Sequence, residues 1–175
     1  SAIFLSQRSG TAPGSVITVT CEATKPLLLE VQTLVDDTST GHPRRVSLGI
    51  EQNRLTMLLA ILHRHGGIAI YDKDVFLNIV GGMQLRETGA DLAVLLAAYS
   101  SFRNQALDST LAVFGEVGLT GEIRPVYNGL ARLKEAKEHG FTKIIIPSAN
   151  QPKTKLNGIE ILAVGHLSQA INHIG

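Results

Sequence analysis

The sequence holds one cysteine, Cys21, and no tryptophan, and its aromatic residues are five phenylalanines and three tyrosines among 175 positions. A single cysteine excludes an internal disulfide and a cysteine-rich zinc site, and favours a reducing, cytoplasmic setting over secretion. Charge of one sign is also scarce. Sixteen Lys and Arg against fifteen Asp and Glu leave a formal charge of +1, which excludes the strongly basic balance of a histone-like binder. Any nucleic-acid contact has to come from a local cluster of cations. No apolar run approaches the ~20 residues of a membrane span, and no charged-then-apolar leader opens the chain. The phosphate-loop pattern Gly-x-x-x-x-Gly-Lys-Ser/Thr is missing as well, so these residues do not cradle a nucleotide in that way.

What the sequence does contain is material for a core. With 44% hydrophobic and 18% charged residues, it predicts one folded domain over residues 1–175. The chain opens at Ser1 without Met and runs at once into the strand-like Ile3-Phe4-Leu5, so a fragment of something longer is expected. Its centre is residues 74–102: residues 75–80 read as a strand with no exposed face, Gly81 and Gly82 break it, and Thr88 begins a helix. Leu92, Leu95, Leu96 and Tyr99 recur at helical spacing among alanines, the pattern of a helix packed on several sides. Thr88-x-x-Asp91 fits a capping box with Asp in place of Glu or Gln.

Around this centre, residues 15–21 and 27–35 are β-rich runs joined by a turn, an expected antiparallel pair. Residues 36–43 (DDTSTGHP) form a polar loop, a candidate mobile segment, and residues 46–50 a third strand. Leu55, Leu58, Leu59 and Leu62 mark an amphipathic helix that stops at Gly66-Gly67. His63 and His65 near its end point ~200° apart on such a helix, a poor metal pair. Residues 110–117 and 122–126 make a hairpin-like pair, Asn128 is a candidate N-cap for a helix over 129–139, and 143–147 is a buried strand. A polar loop over 148–158, a strand over 159–164 and a short helix over 167–171 finish the chain. Alternating strands and helices after a hairpin start predict an α/β or α+β fold.

Pro43-Arg44-Arg45, residues 51–54 (EQNR) with 62–67 (LHRHGG), 74–82 (DVFLNIVGG) and 114–125 (FGEVGLTGEIRP) resemble the C-terminal region of the RadA (Sms) family of bacterial RecA-related DNA repair proteins. The likeness covers nearly the whole chain. That region is itself similar to the proteolytic domain of Lon protease, so the resemblance implies a Lon protease-like domain of the ribosomal protein S5 domain 2-like fold, an α+β architecture. The zinc finger and RecA-like ATPase that precede it in the family have no counterpart here. ATP, Mg and Zn are therefore implied for the missing domains, and no cofactor for this one.

Lon proteases work through a Ser-Lys dyad, in which a lysine of lowered pKa deprotonates the serine hydroxyl. Laid on Lon's Pro-Ser-Ala-Gly segment, Thr88-Gly-Ala-Asp91 puts Gly89 at the nucleophile, and continuing without a gap puts Arg132 at the base. Glycine offers no nucleophile, and a guanidinium of pKa above ~12 is no base near neutral pH. Ser100, about three helical turns on, and Lys134, on another helix face, do not replace them. The resemblance thus implies a domain without enzymatic activity in a longer protein that resembles a DNA-dependent ATPase or helicase. The resemblance further implies that this longer protein is a ring motor for branch migration in recombinational repair.

The implied partners are DNA, single-stranded or branched, further copies in a homohexamer, and RecA, with no membrane partner. Candidate DNA contacts are Arg44, Arg45, Arg54, Arg64, Arg86, Arg124, Arg132 and Lys134, because the guanidinium fork suits phosphate oxygens and several contacts together give sequence-independent affinity. For any single one, the simpler reading is a solvated charge or a carboxylate's partner. Few aromatics favour backbone binding over base stacking. The competing readings are a purely structural oligomerisation scaffold without DNA contact and, under a different alignment, an active serine peptidase.

Overall fold

The computed structural model describes residues 12–175, so the strand expected at Ile3-Phe4-Leu5 lies outside the described residues. Strands β1 (Ser15–Glu22) and β2 (Lys25–Asp37) form the expected antiparallel hairpin, in register from Ser15↔Gln32 to Glu22↔Lys25. β2 also pairs antiparallel with β4 (Lys73–Ile79), and β3 (Arg45–Leu48) lies parallel to β4. On the other side, β5 (Leu111–Val113), β8 (Lys143–Pro147) and β9 (Glu160–Val164) extend the sheet in parallel from β1. The result is a seven-stranded mixed sheet in the order β3-β4-β2-β1-β5-β8-β9, an α+β architecture. A separate two-stranded hairpin, β6 (Glu116–Val117) with β7 (Ile123–Arg124), stands beside it.

Alternation along β1 divides two apolar layers, because successive side chains leave a strand on opposite faces. Val16 joins the layer under helices α1 (Gln52–Gly66), α2 (Asp91–Arg103) and α4 (Leu167–Ile174), while Ile17 and Val19 join the layer under α3 (Gly129–Glu138). α2 is the central helix, with Leu92, Leu95 and Leu96 fully buried. α3 packs against β1 and β2, and shares an apolar layer with β5 and β8, on one half of its sheet face. On the other half, Leu34, Phe76 and Val46 lie side by side across β2, β4 and β3, and Leu34 and Leu48 remain 56% and 61% exposed.

Several boundaries differ from the sequence expectations. β4 is not closed on both faces, since Asn78 is exposed and Phe76 half-buried. The run over 110–117 breaks at Gly115, whose N–H donates to Gly89 O (2.8 Å) and whose carbonyl accepts from Leu92 N (3.0 Å). These two bonds stitch the start of α2 to the sheet. Thr88 does not cap α2: the helix starts at Asp91 without a side-chain cap, and the Asp91 carboxylate turns away from its own helix end. Asn128 precedes α3 as expected, but in a left-handed conformation (φ 63°), and its amide donates to Thr24 O (3.3 Å) instead of accepting from the helix. α4 runs to Ile174, three residues past the expected end, behind a capping box in which His166 Nδ1 accepts from Ser168 N (3.1 Å) and Gln169 Oε1 from His166 N (3.1 Å).

Candidate functional site

The turn over residues 84–90 faces the end of β1 and the start of α3 across a cleft of about 490 Å³. Gly89 and Arg132, far apart in sequence, meet here. A Cβ at position 89 would overlap Glu87 Oε1 and lie 2.7 Å from Arg132 Nη1, so any other residue here has to displace those two side chains. Arg132 is 1% exposed and fully engaged. Its Nε donates to Tyr127 O (2.8 Å), its Nη1 donates to Val19 O (3.0 Å) and pairs with Glu87 Oε1 (2.9 Å), and its guanidinium lies 5.7 Å from the Phe114 ring centre. Glu87 is saturated in turn: Oε2 accepts from Thr20 Oγ1 and Cys21 N, both at 2.7 Å, and Oε1 accepts from Gly89 N at 3.2 Å. The turn is thus closed by the Arg132–Glu87 ion pair and the bonds around it. Cys21 is the nearby thiol, and burial pushes its pKa up against the pull of Arg132, which keeps it protonated and a poor nucleophile.

A second buried pair stands behind this turn. Arg54 of α1 donates through Nε to Asp91 Oδ1 (3.0 Å) and through Nη2 to Oδ2, which also accepts from Val117 N of β6 (3.1 Å). α1, α2 and the β6–β7 hairpin are thereby joined at one carboxylate. Asp91 is 4% exposed, and burial, opposed by Arg54 and the Val117 N–H, raises its pKa to about 6.

The remaining candidates sort by what already holds them. Arg44 grips buried Asp74 through Nε (3.3 Å) and Nη2 (2.9 Å), and these bonds, with the Arg44 backbone N–H, hold the Asp74 carboxyl below its usual pKa. Arg45 points its guanidinium at the carbonyls of Ile70, Tyr71 and Lys73, sealing the turn after α1. Arg124 is exposed and weakly paired with Glu122 (3.4 Å). Arg86 is exposed without a partner among the described residues, yet the clefts it lines also present Glu22, Glu87 and Glu116, a poor setting for phosphate. Arg64 and Lys134 are exposed and likewise unpaired among the described residues. As phosphate contacts, Arg54 and Arg132 are corrected: both are internal struts, and Arg44 and Arg45 are largely committed to the fold. His65 Nε2 lies 3.1 Å from Leu119 O, so the end of α1 that carries Arg64 meets the tip of the hairpin that carries Arg124.

The family model described as "Subunit ChlI of Mg-chelatase" matches residues 44–150. Over 98% of its length the chain is 55% identical to the DNA repair protein RadA of Pseudomonas aeruginosa, 54% to that of Escherichia coli and 42% to that of Bacillus subtilis. The chain belongs to the family of this model and is a RadA fragment. It spans 37–38% of the length of these RadA relatives. No three His, Cys, Asp or Glu gather at one point among the described residues, and the sequence has no phosphate loop. No helix among the described residues is long and apolar enough to cross a membrane. Sequence reasoning missed Glu87 and Asp74, the carboxylates that neutralise Arg132 and Arg44. Glu87 could have been flagged as the charge two positions before Gly89; Asp74 carries no such local sign.

Proposed function

We propose that this chain is a single, non-catalytic Lon-like domain that binds DNA through surface cations and supports homohexamer assembly of a longer DNA repair protein. The observation that carries the reading is the sorting of cations: Arg54 and Arg132 are tied to the carboxylates of Asp91 and Glu87, while Arg64, Arg124 and Lys134 stay exposed with no partner or a weak one among the described residues. Such charges are available to phosphates at little cost to the fold. In this reading the longer protein works in the cytoplasm beside RecA as an ATP-dependent branch-migration motor, with ATP, Mg and Zn held outside this chain. The relatives' name, DNA repair protein RadA, supports it. Fluorescence anisotropy of a labelled oligonucleotide against the 175-residue chain, as salt is raised, is the test. A log–log salt slope that shrinks in an Arg64→Ala, Arg124→Ala double variant is expected. No binding at low salt overturns it.

The scaffold reading is favoured by a different observation, a half-sheet that no described residue covers, with Leu34, Phe76, Val46 and Leu48 in a patch. Sedimentation of the chain and of a Leu34→Lys, Leu48→Lys variant separates the two. An assembly that the variant abolishes, without any DNA binding, makes the domain a scaffold.

A further inference from the structure

Cations of which the DNA reading weighed only Lys134 gather on the other side of the sheet from Arg64. α3 exposes Lys134 and Lys137 one turn apart, and the loop between β8 and β9 exposes Lys153 and Lys155. The helix and the loop are one surface. Leu156 and Ile159 of the loop pack into the same apolar layer as Leu133 and Ala136 of α3, and a Cβ on Gly158 would sit 3.5 Å from Lys137 Cε. Lys153, Lys155 and Ile159 also line a shallow cleft of about 430 Å³ beside Glu160. None of the four lysines has a hydrogen bond or ion pair among the described residues. The exposed carboxylates alongside are Glu138 and Glu160, while Glu135 turns to His139 (3.4 Å). In a chain of net charge +1, this surface is locally positive.

We propose that Lys134, Lys137, Lys153 and Lys155 form a second nucleic-acid backbone track, on the opposite sheet face from the Arg64 end of α1. The inference rests on the DNA reading and deepens it: one domain touches DNA from two sides. Lysine ammonium groups on flexible stems act as point charges that follow a phosphate chain without fixing its sequence.

The test is anisotropy titration of an oligonucleotide over a salt series with a variant carrying Lys134→Gln, Lys137→Gln, Lys153→Gln and Lys155→Gln. All four positions are exposed, and an unchanged thermal midpoint verifies the fold. The log–log slope is expected to fall by about 3, near 0.7–0.9 per phosphate lost, with recovery when the same four positions are Arg and tighter binding with Glu138→Gln and Glu160→Gln. An unchanged slope, with wild type still binding DNA, overturns the track and leaves the DNA reading standing. If wild type binds no DNA, the DNA reading fails, and retention on heparin becomes the remaining readout. Equal retention of wild type and variant then overturns the track. Displacement of DNA by poly-glutamate at lower concentrations than by heparin assigns the surface to an acidic protein and also overturns it.

Discussion

Arg132 and Lys134 stand two positions apart on α3 and live in opposite environments. Arg132 points into the fold, where Val19 O, Tyr127 O and Glu87 take up its donors; Lys134 points into solvent and has no partner among the described residues. The helical period alone sends them to different faces. What the difference teaches is that a cation's meaning in this molecule is set by the carboxylate and carbonyls it meets. The cleft around Gly89 is a region of closed electrostatic accounts; the α3 surface is one of open charge.

The sharpest way to break that contrast is Arg132→Ala. It strands Glu87 and the carbonyls of Val19 and Tyr127, the first of them buried, and the stability to denaturant is expected to fall by roughly 3 kcal/mol, the low end for a broken buried pair because Glu87 is 26% exposed. A loss below about 0.5 kcal/mol would mean that the pair carries no weight. Gly89→Ala follows, at about 1–3 kcal/mol, because the new methyl group meets Glu87 and Arg132, whose positions are fixed by their other bonds. In the Glu87→Ala background this penalty should shrink.

Asp91 sharpens the comparison through pH. Its folded pKa of about 6 lies above that of an unfolded aspartate, so the folded state holds the extra proton and this group favours folding most at low pH. Wild type measured against Asp91→Asn should lose relative stability as pH rises from about 4 through 6, on the order of 1–3 kcal/mol, and level off above 7. A difference independent of pH across that window would show that Asp91 does not titrate there. The smallest effect belongs to Lys134→Ala: stability within about 0.5 kcal/mol of wild type, and a salt slope for DNA lowered by about 0.7–0.9.

Periodic features were the legible ones. Leu55, Leu58, Leu59 and Leu62 announced α1, and Gly67 at φ 70° ends it where a left-handed residue is needed. The alternation in β1 and β2 announced their hairpin. Thr88 misled because its capping pattern is local, whereas the geometry there is decided by Gly115, which bonds Gly89 and Leu92 from the break between β5 and β6. The candidate site was half legible. Gly89 and Arg132 could be paired by alignment, and the fold does bring them together. The ranking of arginines could not be read, since Arg54 finds Asp91 and Arg44 finds Asp74 only after the sheet and helices have assembled. Lys153 and Lys155 sat in plain view as Lys-Thr-Lys, but only the packing of Leu156 against α3 makes them neighbours of Lys137.

The interlock at Gly89 also constrains how such a sequence can change. A serine arriving alone at position 89 collides with Glu87 and Arg132, and a lysine arriving alone at 132 has no fork to serve Val19 O, Tyr127 O and Glu87 together. Each single step toward a Ser-Lys pair is a step down in fitness for folding, so the route crosses an epistatic valley. A mutational scan that scored one substitution at a time would find this cleft immobile, while paired substitutions at 87, 89 and 132 would show where the latitude lies.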